Sequence, residues 1–247
     1  MTPTQTLPGR LDDVRGRIAA AATRAGRHPA EVRLLPVSKT QPLTAIEEAR
    51  AAGLAQFAEN RPQELATKAT ALTGAELRWV LIGPLQTNKA GLAAGFAHEF
   101  QALDSRRVAE ALDRRLQSAG RGLDVMVEVN TSGEASKHGV TPSDAPALVR
   151  ALGIYSSLRP VGLMTVAVNS SDEAAVRACF RRLVAVRAQL RDEGTDLPEL
   201  SMGMSGDYEW AIEEGSTCVR LGTAIFGPRT KAPGIDQSLV RLPAVPT

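Results

Sequence analysis

The sequence predicts an α/β protein that folds as one (β/α)8 barrel, the TIM barrel, and three observations point to it. A short run rich in valine, leucine and isoleucine, followed by polar residues and a stretch with helical spacing, recurs eight times. The runs are almost continuously apolar, which is typical of parallel strands buried on both faces. Eight such units in 247 residues match the usual length of this barrel. A doubly wound open sheet is the alternative that the same alternation allows.

The eight apolar runs are the predicted strands. In chain order they cover residues 32–37, 56–58, 78–82, 100–103, 124–129, 159–164, 199–202 and 217–221. Helical spacing predicts helices near 42–52, 61–71, 86–95, 105–119, 141–152, 171–193 and 207–214. The stretch 8–26 before the first strand is also helix-like, so we expect an extra N-terminal helix. No low-complexity linker divides the chain, and we expect a single domain over residues 1–247, with the barrel proper at about 30–230.

The helix over 171–193 has the clearest amphipathic pattern. Its apolar face is predicted to carry Val176, Phe180, Leu183 and Leu190. Asp172 or Ser171 can accept hydrogen bonds from the first turn, and Gly194 can adopt the left-handed conformation that ends a helix. We therefore expect this helix to begin and end close to these residues.

Composition and charge exclude several classes of protein. The 29 Lys+Arg and 27 Asp+Glu residues are interleaved and leave a formal net charge of +2, which does not predict a nucleic-acid-binding surface. No run of about 18 apolar residues predicts a membrane helix, and the first ten residues lack the apolar core of a signal peptide, so we expect a cytoplasmic protein. Neither the cysteines, Cys179 and Cys218, nor the histidines, His28, His98 and His138, have the spacing of a disulfide framework or a metal site.

Lys39 is the first candidate functional residue, because it directly follows the first predicted strand. Functional groups of a barrel lie at the carboxyl ends of the strands and in the loops after them. Desolvation in an apolar barrel mouth lowers the pKa of an amine and frees it to form a Schiff base with an aldehyde. A solvated lysine at a strand end is the alternative interpretation. Of the 29 Lys+Arg residues only five are lysines, so each retained lysine is of interest.

Small and hydroxyl-bearing residues follow the seventh and eighth predicted strands. They are Ser201, Gly203, Ser205 and Gly206 in the first loop and Gly222 and Thr223 in the second. Phosphate sites in barrels are often built from these two loops, with glycine amides, hydroxyl groups and a helix N-terminus as donors. A helix starting near Asp207 would direct its positive end toward the anion. Tight barrel turns are the alternative explanation of the small residues.

Arg220 completes the pattern, because it lies on the last strand two positions before Gly222. Its guanidinium can bind an anion or donate to a heterocyclic nitrogen. An amine at one end of a site and a phosphate cradle at the other suit pyridoxal 5′-phosphate, which carries an aldehyde and a phosphate. An aldolase-type barrel that forms a Schiff base with a sugar phosphate is a further alternative.

The complete set of motifs resembles the pyridoxal 5′-phosphate homeostasis proteins, whose barrel is related to the N-terminal domain of alanine racemase. The resemblance covers roughly residues 32 to 229, and the order and spacing of its motifs make chance agreement improbable. The matching segments are VSKTQP (37–42), FAENRPQE (57–64), LIGPLQTNK (81–89), VEVNTSGEASKHG (127–139), GLMTVA (162–167), LSMGMSGDYEWAI (200–212) and GSTCVRLGTAIFG (215–227).

The resemblance implies a role for each matching residue. It implies that Lys39 forms the Schiff base with the cofactor, that Asn60 lies beside it and that Arg220 faces the pyridine nitrogen. It also implies that the phosphate is held by Ser205, Gly222 and Thr223, with Ser201 and Met202 nearby. Lys137 matches a second notable lysine of the family.

Two residues depart from the family pattern. Ala58 stands where the family usually has glycine, and Val80 stands where it usually has histidine. The added methyl group at position 58 can shift the loop that carries Asn60, and the absence of the histidine removes any role that it has. Neither departure touches Lys39 or the predicted phosphate cradle.

By resemblance, the protein is expected to hold and buffer pyridoxal 5′-phosphate and to support vitamin B6 and amino-acid homeostasis without robust catalysis. An arginine at the pyridine nitrogen keeps that nitrogen unprotonated, which weakens the ring as an electron sink. A stand-alone amino-acid racemase is the main alternative. Racemisation needs a second acid/base, which in alanine racemase comes from a C-terminal β-domain, and the chain is expected to lack that domain. Neither Tyr155 nor Tyr208 is placed over the cofactor by any sequence signal.

The expected partners follow from the same reasoning. They are pyridoxal 5′-phosphate itself and the apoenzymes that depend on it, with no nucleic acid, no membrane and no metal. Paired arginines at 106–107, 114–115 and 181–182 are expected on solvated helix faces. The expected oligomeric state is a monomer or a weak dimer.

Overall fold

The computed structural model describes residues 6–228, and the eight predicted strands form one parallel sheet within them. The strands are β1 Arg33–Pro36, β2 Gln56–Glu59, β3 Arg78–Leu81, β4 Glu99–Leu103, β5 Leu123–Glu128, β6 Leu158–Met164, β7 Glu199–Ser201 and β8 Cys218–Leu221. Each predicted strand is present to within one or two residues at either end. The prediction of a (β/α)8 barrel is therefore confirmed.

The sheet curls so that β1 and β2 meet where the barrel closes. The strand order is β1-β8-β7-β6-β5-β4-β3-β2, and every neighbouring pair is parallel. β1 and β2 contact each other through an isolated parallel bridge between Val37 and Ala58. The amide of Ser38 donates to the carbonyl of Ala58 at 3.0 Å. This seam lies at the carboxyl ends of both strands, next to the first two candidate site residues.

Helices alternate with the strands as the spacing predicts. They are α1 Leu7–Arg24, α2 Leu43–Ala51, α3 Pro62–Ala71, α4 Ala90–Phe96, α5 Arg106–Ser118, α6 Ala145–Ala151, α7 Glu173–Asp192, α8 Tyr208–Glu213 and α9 Thr223–Phe226. The stretch predicted as a helix over 86–95 begins with a 3-10 turn, Thr87–Lys89. α6 begins four residues later than predicted, because Thr141 and Asp144 form a hydrogen-bonded turn ahead of it. α9 is not predicted by the sequence, because its single turn is too short to show periodicity.

α7 confirms the capping prediction. The Asp172 side chain accepts hydrogen bonds from the amides of Ala174 and Ala175, at 2.9 and 3.4 Å. Gly194 has a φ of +86° just after the helix, a conformation in which glycine is favoured. The predicted apolar face is fully buried and consists of Val176, Phe180, Leu183 and Leu190.

α1 packs outside the barrel against α8 and α9. Its buried face carries Leu7, Leu11, Val14 and Ile18. The Arg10 guanidinium donates to the carbonyl of Ile225 in α9 at 2.6 Å. The predicted extra N-terminal helix is thus present, and it supports the two short helices that follow β7 and β8.

The described residues were also compared with the requirements of a membrane helix and of a metal site. Within residues 6–228 no helix combines the length and the apolar character needed to cross a membrane. In the same range no group of three or more histidine, cysteine, aspartate and glutamate side chains is arranged to hold a metal ion. Cys179 and Cys218 are buried free thiols.

Candidate functional site

The first half of the candidate site lies where β1 and β2 end. Lys39 is half-buried in the turn after β1, and Asn60 directly follows β2. The bridge between Val37 and Ala58 holds these two chain segments side by side. Gly83 approaches the Asn60 backbone so closely that a Cβ there would lie 2.2 Å from the Asn60 carbonyl oxygen. A glycine at position 83 is therefore required for the observed path of the chain beside Asn60.

Asn60 carries an unsatisfied polar atom. Its side-chain Oδ1 is buried and has no hydrogen-bond partner among the described residues. A buried acceptor without a donor costs free energy, commonly about 1–3 kcal/mol. A bound molecule that donates to this oxygen would remove that cost, so the atom marks this edge of the barrel mouth as a binding position.

The second half of the site consists of the loops after β7 and β8. The Ser205 hydroxyl accepts a hydrogen bond from the amide of Ala224 at 3.4 Å and so joins the two loops. Several amide groups of these loops have no acceptor in the part of the chain that the structure describes, and four of them belong to Ser205, Gly206, Gly222 and Thr223. Free N–H groups on adjoining loops can form a cradle for an anion. The predicted phosphate residues Ser205, Gly222 and Thr223 are therefore brought together.

Gly203 sets the shape of the first of these loops. Its φ is +99°, and a Cβ there would lie 2.7 Å from the Ala211 Cβ and 2.9 Å from the Tyr208 Cα. Its carbonyl accepts a hydrogen bond from the Arg220 amide at 3.0 Å. The loop after β7 is therefore packed against α8 and bonded to β8 at the same time.

Arg220 is buried in the barrel, where its side chain is held by two hydrogen bonds. Its guanidinium donates to the Ser201 Oγ and to the Thr165 carbonyl, both at 2.7 Å. Burial lowers the pKa of Arg220 from its ordinary value, and Glu128 is among the charges that oppose this. Arg220 pairs in register with Leu35 of β1, which places it between the Lys39 turn and the loop after β8.

Ser201 ends β7, and Met202 directly follows it. The Ser201 Oγ accepts from Arg220 and donates to the Gln101 Oε1 at 2.7 Å, so its hydroxyl is engaged inside the barrel. Met202 is fully buried in the hydrophobic core. Ser201 therefore contacts the Arg220 guanidinium directly, and Met202 is part of the core just before the loop that carries Gly203 and Ser205.

A chain of polar side chains continues from Ser201 to the opposite end of the barrel. Gln101 Nε2 donates to Glu99 at 2.7 Å, and Arg33 pairs with both Glu99 and Glu199. TIM barrels usually fill this volume with branched apolar side chains. Arg220 is thus oriented by a polar network that reaches the first residue of β1.

Glu128 is a buried residue near Arg220 that the sequence does not single out. It ends β5, is 8% exposed, and its carboxylate has no hydrogen bond among the described residues. Burial raises the pKa of Glu128 to about 7, the Arg220 charge opposes this rise, and Asp104 adds to it. A glutamate that ends an apolar strand gives no sequence signal of its own beyond its place in the motif VEVN.

A buried lysine beside the Lys39 turn was also missed. Lys68 of α3 is fully buried and forms ion pairs with Glu59 at 2.7 Å and Glu64 at 2.8 Å. Burial raises the pKa of the Glu59 carboxyl to about 7, and the Lys68 ammonium opposes this rise. In the sequence, Glu64 and Lys68 have the four-residue spacing of a common surface ion pair, which hides their burial.

The residues that depart from the family pattern lie next to each other. Ala58 and Val80 are register partners on β2 and β3. Both belong to a buried cluster with Leu35, Val37 and Cys218. The methyl group added at position 58 therefore packs beside the position that lacks the larger histidine.

Lys137 and the two tyrosines make separate contacts. The Lys137 Nζ donates to the Ala167 carbonyl at 2.7 Å and pairs with Glu134. The Tyr155 hydroxyl contacts the Arg106 carbonyl at 3.5 Å, and the Tyr208 ring lies beneath the Arg17 guanidinium of α1. Both tyrosine contacts are with helices outside the barrel.

Comparison with known proteins gives a consistent result. Residues 10–230 match the family described as alanine racemase, N-terminal domain. The pyridoxal phosphate homeostasis protein of Pseudomonas aeruginosa is 44% identical over 224 residues, which cover 91% of this chain and 96% of that protein. The structure is similar to PipY of Synechococcus elongatus solved without PLP, with 35% identity and a TM-score of 0.81. PipY with PLP bound has 34% identity and a TM-score of 0.79, and each alignment covers 90% of this chain and 100% of PipY.

Proposed function

Because the chain belongs to the family of the pyridoxal phosphate homeostasis proteins, we propose that it binds pyridoxal 5′-phosphate at the carboxyl end of its barrel. It holds the cofactor reversibly in the cytoplasm and so buffers its supply to the apoenzymes that depend on it. The PLP-bound structure of PipY, a similar protein, supports this proposal.

One observation in this structure carries the proposal, namely that the site has two different ends. At one end are Lys39 and the unsatisfied Asn60 oxygen, and at the other are the four free amides joined by Ser205. An aldehyde with an adjacent donor group suits the first end, and a phosphate suits the second. The residues present therefore fit the cofactor.

The residues of the site have distinct parts in holding the cofactor. When bound, pyridoxal 5′-phosphate supplies an aldehyde carbon that bonds reversibly to a primary amine with release of one water molecule. Lys39 supplies the amine, while Ser205, Gly222 and Thr223 hold the phosphate oxygens. Arg220 donates to the pyridine nitrogen, and Ser201 fixes the direction of that guanidinium.

Arg220 also explains why we propose binding without robust turnover. A guanidinium that donates to the ring nitrogen leaves no room for a proton on that nitrogen, and the ring is then a weak electron sink. We assign neither tyrosine as a second acid/base, because the contacts of both are with helices outside the barrel. The residues of the site therefore favour retention and release of the cofactor.

A stand-alone amino-acid racemase is the second candidate, and Glu128 is the observation that favours it. A buried carboxyl with a pKa raised to about 7 can exchange protons near neutral pH. Holoprotein incubated with L-alanine in deuterated water separates the two functions. Exchange at Cα that Glu128→Gln abolishes would establish the racemase, and no exchange above that of free cofactor is the expected result.

Borohydride reduction followed by peptide mapping tests the proposed function. Wild-type protein is expected to carry the reduced pyridoxyl group on Lys39, and Lys39→Ala to carry none while it still binds the phosphate weakly. Lys89→Ala, which removes another lysine outside the candidate site, is the matched control and should retain the adduct. No adduct on wild-type protein after addition of the cofactor would contradict the proposal.

A further inference from the structure

The turn that carries Lys39 rests on a buried group of charged residues, which we call the Lys68 cluster. It consists of Ser38, Glu59, Glu64 and Lys68. The Lys68 Nζ donates to the Ser38 carbonyl at 2.7 Å, to Glu59 at 2.7 Å and to Glu64 at 2.8 Å. The Ser38 hydroxyl donates to the same Glu59 oxygen at 2.6 Å.

All three donors of the Lys68 ammonium are engaged in these contacts. Lys68 is fully buried, and an amine in this state has no lone pair available to attack an aldehyde. Lys68 is therefore excluded as a covalent ligand of the cofactor although it lies beside the site. Its role must be sought in what it holds in place.

The cluster holds the peptide groups on both sides of Lys39. The Ser38 carbonyl, which belongs to the peptide group before Lys39, accepts from Lys68. The Thr40 amide, which belongs to the peptide group after Lys39, donates to Glu64 Oε1 at 2.7 Å. Glu64 and Lys68 are bonded to each other, so one ion pair clamps both flanks of the residue.

The conformation of the turn shows why a clamp is needed. The amide of Gln41 donates to the Ser38 carbonyl at 3.0 Å, which closes a β-turn with Lys39 and Thr40 at its centre. Thr40 has a φ of +63°, a left-handed conformation that is unfavourable for a β-branched residue. Strained backbone of this kind persists only where the surroundings enforce it.

Burying an ion pair is also a poor way to gain stability. Desolvation of the two charges commonly offsets their attraction, and apolar replacements of buried pairs are often equally stable. Specific placement of the chain accounts for the Lys68 cluster better than a gain in stability does.

We propose that Glu64 and Lys68 are positioning residues that fix the direction in which Lys39 presents its amine to a bound aldehyde. This inference rests on the proposed function, because it assigns the cluster a role toward the amine of Lys39. Loosening the clamp should impair the covalent step while leaving the noncovalent hold on the phosphate intact.

Glu64→Ala is the variant that tests the inference, because Glu64 lies at the edge of the cluster and its loss leaves Lys68 paired with Glu59. We expect about a tenfold or greater loss in the equilibrium constant for covalent binding of pyridoxal 5′-phosphate. Pyridoxine 5′-phosphate, which has an alcohol in place of the aldehyde, should bind with an affinity changed less than about twofold. In the ligand-free protein, hydrogen exchange at the Thr40 amide should accelerate about tenfold.

Two variants serve as controls. Glu64→Gln retains an acceptor oxygen for the Thr40 amide and should largely restore covalent binding. Glu47→Ala removes an exposed glutamate from the neighbouring helix α2 and should match the wild type in all three measurements.

The outcomes separate the inference from the proposed function. Covalent binding in Glu64→Ala equal to that in Glu47→Ala, or an equal loss for both ligands, would overturn the positioning role and leave the cofactor site standing. Absence of a Lys39 adduct in the wild type would overturn both.

Discussion

At the scale of the residue, the site is governed by a few buried polar groups whose states depend on one another. Arg220 is held by Ser201 and Thr165, while Glu128 lies close enough to influence its charge. The residue types at the mouth could be recognised from the sequence, because Lys39, Asn60 and Arg220 stand in motifs. The partners of these residues could not be recognised from the sequence. Gln101 bonds Ser201, and Glu128 lies near Arg220, from strands that are distant in the chain.

Glu128 makes the stability of the ligand-free protein depend on pH. Its pKa is about 7 in the folded protein and near its ordinary value of 4.5 in the unfolded chain. The folded state therefore binds the proton more tightly, so stability falls as pH rises between these values and is constant above about pH 8. Glu128→Gln removes the contribution of this carboxyl to the pH dependence. The fall in the free energy of unfolding with rising pH should therefore be smaller in the variant, by about 3 kcal/mol at most.

Urea unfolding at about pH 4.5 and about pH 7.5 measures this difference. Glu59, whose pKa is also raised to about 7, should produce a similar decline that remains in the variant. Glu110→Gln, at an exposed position of α5, is the control and should behave as the wild type. A decline of the same size in Glu128→Gln and wild type would show that Glu128 is ionised in the folded protein.

At the scale of the element, the short helices α8 and α9 follow the two loops that we propose as the phosphate end of the site. The sequence predicted α8 and both loops, because glycine and serine interrupt the apolar pattern there. It did not predict that α1 would pack against α8 and α9, with Arg17 and Arg24 pairing with Glu209. These contacts join residues almost 200 positions apart, which periodicity within a short window does not detect.

Gly203→Ala tests how the loop after β7 is shaped. The substitution adds a methyl group at a φ of +99° and forces it against Ala211 and Tyr208. Gly215→Ala is a matched control, because its φ is +100° and no atom lies within 4 Å of the added Cβ. We expect about 1–2 kcal/mol of destabilisation from backbone strain in both variants, and a further 1–3 kcal/mol, roughly, only at position 203.

The same pair of variants should differ in binding. Affinity for pyridoxine 5′-phosphate is expected to fall about tenfold or more in Gly203→Ala and to stay within about twofold in Gly215→Ala. Thermal unfolding and ligand titration measure the two effects separately. Equal affinities would mean that the path of the loop at Gly203 does not shape the anion cradle.

At the scale of the whole molecule, the extent of pairing between neighbouring strands differs around the barrel. β5 and β6 pair over six register positions, whereas β1 and β2 contact through an isolated bridge. Lys39 and Asn60 border this seam, so this half of the site is built where the sheet is sparsely bonded. Elements that bind ligands are often drawn from the regions of lower local stability.

Native-state hydrogen exchange tests this uneven stability. Amides of β5 should exchange only by global unfolding, whereas the Ser38 amide at the seam should exchange through local opening at a lower free energy. Saturating pyridoxal 5′-phosphate should slow exchange at Ser38 more than in β5, because the proposed site includes residues on both sides of the seam. Equal protection of the seam and of β5 in the ligand-free protein would contradict this view.

By itself, the sequence determined the barrel, the order of its elements and the residue types at its mouth. Strand and helix periodicity are local properties, and the motifs place Lys39, Asn60 and the two glycine-rich loops at the carboxyl ends of strands. The tertiary structure alone decided which side chains are buried together. Ser201 contacts the Arg220 guanidinium, Lys68 is enclosed beside Lys39, and Glu128 approaches Arg220. Burial and the electrostatics that follow from it depend on contacts between distant parts of the chain. A local sequence pattern does not predict those contacts.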